Sequence, residues 1–201
     1  MIELGIKISI AYLLGSINGS MLLGNILKKT DIRSIGSGNA GATNAYRSFG
    51  PLYGLSVFFI DIAKGIVTVV IIAPAFTSGL PEGTPIILVQ YLCGLAALIG
   101  HIFPIWYDYR GGKGVATAVG IVAAVHPILG VIAIALWTII LLITRYVCIA
   151  STLTPFLLIM ASFYLRGSLS HYAWLLAISF LILFMHRANF KRLHKGTESK
   201  I

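Results

Sequence analysis

The chain has 201 residues, of which 58% are apolar and only 10% are charged, and its formal net charge is +9. A mean hydropathy of +0.93 excludes an ordinary soluble globular protein and predicts a polytopic all-α membrane protein. A membrane β-barrel would show apolar and polar residues in strict alternation, and the sequence has no such pattern. We therefore expect one transmembrane domain that comprises residues 1–201.

Five apolar stretches approach or exceed the roughly 17–20 residues that a helix needs to cross a bilayer. The first opens with Glu3 instead of a basic cluster, and its apolar run is longer than the core of a signal peptide, so we expect a mature helix. The stretches lie near residues 5–27, 52–76, 86–106, 147–165 and 171–186.

The first connecting loop holds a glycine-rich run at residues 36–44, here called the first loop. Its glycines, Gly36, Gly38 and Gly41, allow backbone N–H groups to converge on an anion. A flexible turn is the simpler alternative. Uncharged hydrogen-bond donors lie between and just after the glycines, and a guanidinium suited to phosphate follows them: Ser37, Asn39, Thr43, Asn44 and Arg47.

Charged residues within apolar spans usually pair with each other or line a cavity. Asp61 and Lys64 lie three residues apart in the second span, which favours a mutual salt bridge over a catalytic role. His101, near the end of the third span, is a candidate to orient the loop that follows. No His, Cys or carboxylate cluster has the spacing of a metal site, and we expect Cys93 and Cys148 to be buried thiols.

A second glycine-rich run, here called the second loop, reads Gly111-Gly112-Lys113-Gly114 and precedes a helix predicted to start near Val115. The N–H groups at a helix N-terminus and the charge of the lysine both favour an anion. The spacing is not that of a nucleotide P-loop, which has four residues between its first glycine and Gly-Lys and then Ser or Thr.

Residues 115–145 form either one long span or two shorter spans that meet at His126-Pro127. Proline disfavours the helical conformation at the preceding residue, so we place a boundary at His126. With two spans, twelve of the fifteen basic residues fall on one side of the membrane, whereas one span abolishes the bias. The twelve are Lys28, Lys29, Arg33, Arg47, Arg110, Lys113, Arg145, Arg187, Lys191, Arg192, Lys195 and Lys200.

The positive-inside rule then predicts seven transmembrane helices with one or two short helices, an N-terminus outside and a C-terminus in the cytoplasm. Both glycine-rich loops lie on the cytoplasmic side in this arrangement. Topology and attraction to membrane lipid account for the positive charge, so no nucleic-acid partner is predicted.

The tail leaves the last span at the same face. His186 and Asn189 are spaced three residues apart, so they share one side of a helix. His186 is either an interfacial residue or part of the phosphate site.

Together these segments resemble the bacterial acyl-phosphate:glycerol-3-phosphate acyltransferases, the PlsY-type integral membrane enzymes. The resemblance covers nearly the whole chain. It rests on GSGNAGATNAYR at 36–47, HIFPIWYDYRGGKGVAT at 101–117 and HRANFKRLHKGTE at 186–198, with YLLGSI at 12–17 and FFIDIAKG at 58–65 beside them.

The resemblance implies a seven-helix fold in the bacterial inner membrane with an active site at the cytoplasmic face. It implies transfer of a fatty acyl group from a long-chain acyl phosphate to the 1-hydroxyl of glycerol 3-phosphate, which gives lysophosphatidic acid and phosphate, without a metal or cofactor. The implied catalytic residues are Ser37, Arg47, Lys113, His186 and Asn189. The implied substrate-binding residues are Gly36, Gly38, Asn39, Gly41, Thr43, Asn44, Gly111, Gly112, Gly114, Ser151 and Glu198.

One position departs from the family. Cys148 stands after Arg145-Tyr146, where a serine is equally expected. We therefore assign no role to Cys148 and expect the nearby hydroxyl of Ser151 to take part in the site. His186 is either a general base or a ligand of the glycerol phosphate. We favour the ligand here, because a hydroxyl that attacks an activated acyl phosphate needs little base strength and the phosphate of the donor can take the proton.

Two other functions are compatible with the residues alone. A phosphate-ester transporter also uses glycine loops and helix N-termini, although its polar residues should lie near the membrane midplane. A structural lipid-binding protein would have neither activity.

Overall fold

The computed structural model describes residues 2–75, 79–165 and 167–201, and every regular element in these ranges is a helix or a helical turn. The prediction of an all-α chain is confirmed for these residues. They group into two compact units, Met1–Val125 and His126–Ile201, which are treated separately below.

The N-terminal unit is built of six α-helices. Two of them continue into a single wider π turn, and short 3₁₀ turns follow α2 and α5. The helices are α1 (Ile2–Gly15), α2 (Gly19–Leu23, then the π turn Gly24–Lys28), α3 (Ala42–Phe49), α4 (Pro51–Val67, then the π turn Thr68–Ile72), α5 (Ile86–Ile102) and α6 (Val115–Val125); the 3₁₀ turns are Ile32–Ser34 and Ile105–Tyr107.

The first apolar stretch is a broken helix. The chain bends by 45° between α1 and α2. Asn18 starts the second piece, since its side-chain oxygen accepts the backbone N–H groups of Ser20 and Met21, both at 3.1 Å. This side-chain cap satisfies N–H groups that the break leaves without helical partners.

Small residues bring the helices of this unit into backbone contact. A Cβ added at Gly15 of α1 would lie 2.2 Å from the carbonyl oxygen of Ala97 on α5. The same applies to Gly120 of α6, whose added Cβ would lie 2.2 Å from the carbonyl oxygen of Ile62 on α4. Close approach at small residues is the usual way in which membrane helices gain packing energy.

The C-terminal unit contains α7 (Pro127–Thr144), α8 (Val147–Tyr164), α9 (Leu169–Met185) and α10 (Arg187–His194). Helix α7 packs on α8, and α8 packs on α9. The boundary predicted at His126 is confirmed, because α6 ends at Val125 and α7 begins at Pro127.

Among the described residues, four helices are long and apolar enough to cross a membrane, or six if each of two bent pairs is one span. The bent pairs are Ile2–Gly15 with Gly19–Lys28, and Leu169–Met185 with Arg187–His194. Helix α6 has 11 residues, or roughly 16 Å at 1.5 Å per residue, which is short for a span. The count of seven transmembrane helices stays a prediction.

The contact between α1 and α5 can be tested with two glycines of the same helix. Gly15→Ala forces a methyl group against the backbone of Ala97, and overpacking of this kind costs about 1–3 kcal/mol. Gly5→Ala is the matched control, because a Cβ at Gly5 meets nothing within 4 Å. We expect only Gly15→Ala to lower Tm in detergent. The thiols of Cys93 and Cys148 are buried in the folded protein, so their reactivity measures unfolding. Equal Tm values for the two variants would contradict this packing.

Candidate active site

The first loop leads from the 3₁₀ turn Ile32–Ser34 into α3. Gly36 and Gly38 have φ angles of +59° and +71°, which glycine adopts without the steric cost that other residues incur. Ser37, between them, is exposed, and Arg47 on α3 is exposed as well. Both side chains therefore reach the surface around the loop.

Asn44 closes the first loop from inside. Its side-chain oxygen accepts the N–H of Ser37 at 2.9 Å, and its amide donates to the carbonyls of Ile32 at 3.2 Å and Ile35 at 2.9 Å. The residue is 2% exposed. These bonds shape the loop, and the substrate contact that the resemblance implies for Asn44 stays a prediction.

The second loop folds back on the C-terminal end of α5. The N–H of Gly111 donates to the carbonyl of Ile102 at 3.0 Å, and the N–H of Gly112 donates to that of His101 at 3.1 Å. These two N–H groups, which the sequence suggested for an anion, are thus committed to backbone carbonyls. The N–H groups of the first turn of α6, which have no partner within the helix, lie next along the chain.

The two loops meet backbone to backbone. The carbonyl oxygen of Ala40 in the first loop would lie 2.6 Å from a Cβ added at Gly112 in the second. The same carbonyl accepts the side-chain amide of Asn18 at 3.1 Å. The N-terminal unit therefore brings together the two glycine-rich runs, as their placement in the sequence predicted.

Arg33 fastens the chain beside this junction, and sequence reasoning did not single it out. It forms hydrogen bonds with both oxygens of Asp31, at 2.8–3.1 Å, and donates to the carbonyls of Tyr107 at 2.8 Å and Arg110 at 3.3 Å. These bonds to the guanidinium hold the pKa of the Asp31 carboxyl below its ordinary value. The Asp-x-Arg spacing just ahead of the glycines was the available signal.

Three ionisable side chains lie buried next to the second loop. Asp61 and Lys64 form the predicted salt bridge, with 2.9 Å between the carboxylate oxygen and Nζ. His101 joins them through Nδ1, 2.8 Å from Nζ of Lys64. We call these three residues the charge cluster; their exposed fractions are 1%, 5% and 3%.

In the C-terminal unit, His186 ends α9 and is 3% exposed. Its Nδ1 lies 2.8 Å from the carbonyl oxygen of Ile182. A carbonyl can only accept, so Nδ1 carries the hydrogen and, in the neutral ring, Nε2 carries the lone pair. A neutral His186 can therefore accept a proton at Nε2.

Asn189 and Glu198 are bound to each other. The amide of Asn189 donates to Glu198 Oε1 at 2.6 Å, and Arg192 Nε donates to Oε2 at 2.7 Å. Both carboxylate oxygens are engaged, and a negative charge would repel a phosphate. Glu198 is thus placed to orient Asn189, and the substrate contact that the resemblance implies for Glu198 stays a prediction.

Ser151 lies on α8 and is 2% exposed, and its hydroxyl accepts the indole N–H of Trp137 at 3.0 Å. Cys148, one turn earlier, is also buried. In the described part of the chain, no group of three or more His, Cys, Asp or Glu side chains is placed to hold a metal ion.

The sequence is similar to proteins of one known family over nearly its whole length. The family model for glycerol-3-phosphate acyltransferase matches residues 6–196. The chain is 38% identical to the glycerol-3-phosphate acyltransferase of Chlorobium luteolum, over 96% of this chain and 94% of that protein. It is 40% identical to that of Thermoanaerobacter pseudethanolicus, over 96% and 92%.

Two solved structures are similar to this one. The first is the glycerol 3-phosphate form of PlsY, an integral membrane glycerol 3-phosphate acyltransferase, with a TM-score of 0.89 and 36% identity over 98% of this chain and 95% of that chain. The second is the lysophosphatidic acid form, with a TM-score of 0.86 and 35% identity over the same shares.

The internal bonds of Asn44 lead to a test of the first loop. Asn44→Asp keeps an acceptor for the N–H of Ser37 but sets a carboxylate against the carbonyls of Ile32 and Ile35. We expect trypsin to cleave after Arg47 at least ten-fold faster, as measured by mass spectrometry. Asn25→Asp, at an exposed position, is the control and should leave the rate unchanged. An unchanged rate in both variants would mean that the amide of Asn44 does not hold the loop.

Proposed function

This chain belongs to the glycerol-3-phosphate acyltransferase family, and on that premise we propose that it acylates the 1-hydroxyl of glycerol 3-phosphate with a long-chain acyl phosphate as donor. It is an acyltransferase of phospholipid synthesis and an integral membrane protein. The hydroxyl oxygen attacks the acyl carbonyl carbon, the bond from that carbon to the phosphate oxygen breaks, and an ester forms. Phosphate leaves, and the hydroxyl proton passes to a base or to the departing phosphate.

The observation that carries this proposal is the contact between the two glycine-rich loops in the N-terminal unit. An acyl phosphate is already activated, so the protein does not have to supply a nucleophile of its own. Its task is to hold two phosphate-bearing substrates, offset their repulsion and align one hydroxyl with one carbonyl. Two adjoining loops, the second of which leads directly into the N-terminus of α6, suit that task.

Arg47 and Lys113 would supply the positive charge. Arg47 lies on the helix that the first loop enters, and Lys113 lies within the second loop. A guanidinium binds phosphate through two parallel N–H bonds, whereas an ammonium acts as a point charge. Ser37, between two glycines with positive φ, would add a hydroxyl donor.

For His186 we infer contact with the hydroxyl of glycerol 3-phosphate. With its hydrogen on Nδ1, the ring accepts at Nε2 when it is neutral and donates from Nε2 when it is protonated, and we propose the first of these toward the hydroxyl. Asn189, oriented by Glu198, would bind the same substrate.

The membrane arrangement belongs to the same proposal. Counting α6 as a short span and each bent pair as one span gives seven helices, with the N-terminus outside and both loops and the tail in the cytoplasm. The acyl chain would lie in the lipid-facing apolar part of the protein. We place the protein in the bacterial inner membrane.

The reaction is tested by giving purified protein an acyl phosphate and glycerol 3-phosphate. Phosphate release that requires both substrates, together with formation of lysophosphatidic acid, is the expected result. Release without glycerol 3-phosphate would identify a hydrolase. No release, with flux of glycerol 3-phosphate into liposomes, would favour transport.

The two cations can be compared by substitution. Arg47→Ala and Lys113→Ala should each lower kcat/KM at least ten-fold, since a hydrogen bond to a charged group is worth about 1.5–3 kcal/mol. Arg47→Lys should recover only part of the loss, because an ammonium lacks the paired geometry. Lys195→Ala, at an exposed position of the tail, is the control. Equal kcat/KM for all four variants would remove both cations from the site.

Kinetics at saturating glycerol 3-phosphate distinguish a general base from a substrate ligand at His186. Loss of a general base typically costs 10²–10⁴-fold in rate. We expect His186→Ala to lower kcat by at least about a hundred-fold. A rise in KM for glycerol 3-phosphate, with kcat retained, would show that His186 only binds the substrate.

A further inference from the structure

We propose that the charge cluster of Asp61, Lys64 and His101 is a positioning device that sets the second loop against the first. The proposal rests on the proposed function, because it assumes that the two loops bind the phosphate-bearing substrates. It concerns three residues that do not themselves contact the reacting atoms.

The hydrogen-bond inventory of Lys64 is complete. An ammonium has three hydrogens and no acceptor. Nζ lies 2.9 Å from the Asp61 carboxylate, 2.8 Å from Nδ1 of His101 and 2.7 Å from the carbonyl oxygen of Ile17. Three donors therefore meet three acceptors on three different segments of the chain.

This inventory fixes the state of His101. Nδ1 lies 3.4 Å from the Asp61 carboxylate and 2.8 Å from Nζ of Lys64. Because an ammonium can only donate, the shorter contact makes Nδ1 an acceptor, so the ring is neutral and its hydrogen is on Nε2. The cluster then holds one positive and one negative charge and has no net charge. A second cation at such a buried place within membrane helices would be strongly disfavoured.

Nε2 of His101 reaches the second loop. A Cβ added at Gly112 would lie 2.2 Å from Nε2, so the ring packs directly on the backbone there. The carbonyl of His101 also accepts the N–H of Gly112 at 3.1 Å. The imidazole is thus a spacer of fixed length, held by Lys64 at one end and supporting Gly112 at the other.

The other end of the cluster reaches the break between α1 and α2. The Asp61 carboxylate accepts the N–H of Gly19 at 3.2 Å, beside the Ile17 carbonyl that Lys64 binds. Between these two residues lies Asn18, whose amide holds Ala40 of the first loop. One buried cluster is therefore connected to both loops, to the first through the helix break and to the second through His101.

A structural role alone would lower stability without a specific effect on substrate binding, so the test compares two buried lysines. Lys64→Met and His101→Leu should each raise KM at least ten-fold for glycerol 3-phosphate or for the acyl phosphate. Lys7→Met is the matched control, because Lys7 is 4% exposed and also donates to backbone carbonyls, those of Ala73 and Ala75. It should lower Tm but leave both KM values within about two-fold.

The double variant provides the sharper result. If Lys64 acts through His101, then Lys64→Met combined with His101→Leu should be no more than about two-fold worse than the poorer single variant. Independent effects would multiply to a hundred-fold or more and would overturn the proposal. Unchanged KM values in His101→Leu, or an equal rise in Lys7→Met, would overturn it too.

Lys64→Met leaves the Asp61 carboxylate buried without its cation and is at risk of not folding. The variant Asp61→Asn/Lys64→Met, which has no buried charge, then replaces it in the same comparison. If the wild-type protein does not turn over acyl phosphate, the proposed function fails. Calorimetric Kd values for glycerol 3-phosphate, which need no turnover, still test the cluster in the same variants.

Discussion

The ammonium of Lys64 is the interaction on which the N-terminal unit depends. A charged group within membrane helices is tolerated only when each of its donors is satisfied, and here the carboxylate of Asp61, the ring of His101 and the carbonyl of Ile17 do so. Removing one partner leaves the others buried and unmatched, at a cost of about 3–5 kcal/mol for a buried pair. The break after α1 and the ends of α4 and α5 are therefore tied to one point.

The charge cluster is one of several attachments that give the loops their shape. A glycine-rich backbone has high conformational entropy, so an anion site made of it needs external support to be preorganised. That support consists of the Asn18 amide on Ala40, the Asn44 amide within the first loop and the His101 ring behind Gly112. Arg33 adds a further attachment through the carbonyls of Tyr107 and Arg110.

The features that sequence reasoning predicted are those that depend on local spacing. The helix boundary at His126 follows from the proline after it, and the Asp61–Lys64 pair follows from a spacing of three on a helix. Family motifs supplied the reaction and the site residues, since the physics of a glycine loop alone does not distinguish a phosphate site from a turn.

The features that it missed depend on contacts between distant segments. Lys64 and His101 are 37 residues apart, and no periodicity relates them. The inward turn of the Asn44 amide was equally hidden, because the residue type is the same for a ligand donor and a loop brace. The hydrogen bonds from the N–H groups of Gly111 and Gly112 to carbonyls of α5 could not be predicted either, because they depend on where α5 ends.

The state of His101 tests this account most directly, and nitrogen NMR of histidine-labelled protein measures it. Comparison with His101→Leu assigns the signals of the ring. We expect a neutral ring with its hydrogen on Nε2, whose signals shift when glycerol 3-phosphate is added, because the second loop that the ring supports takes part in binding. A hydrogen on Nδ1, or signals that glycerol 3-phosphate leaves unchanged, would contradict the account.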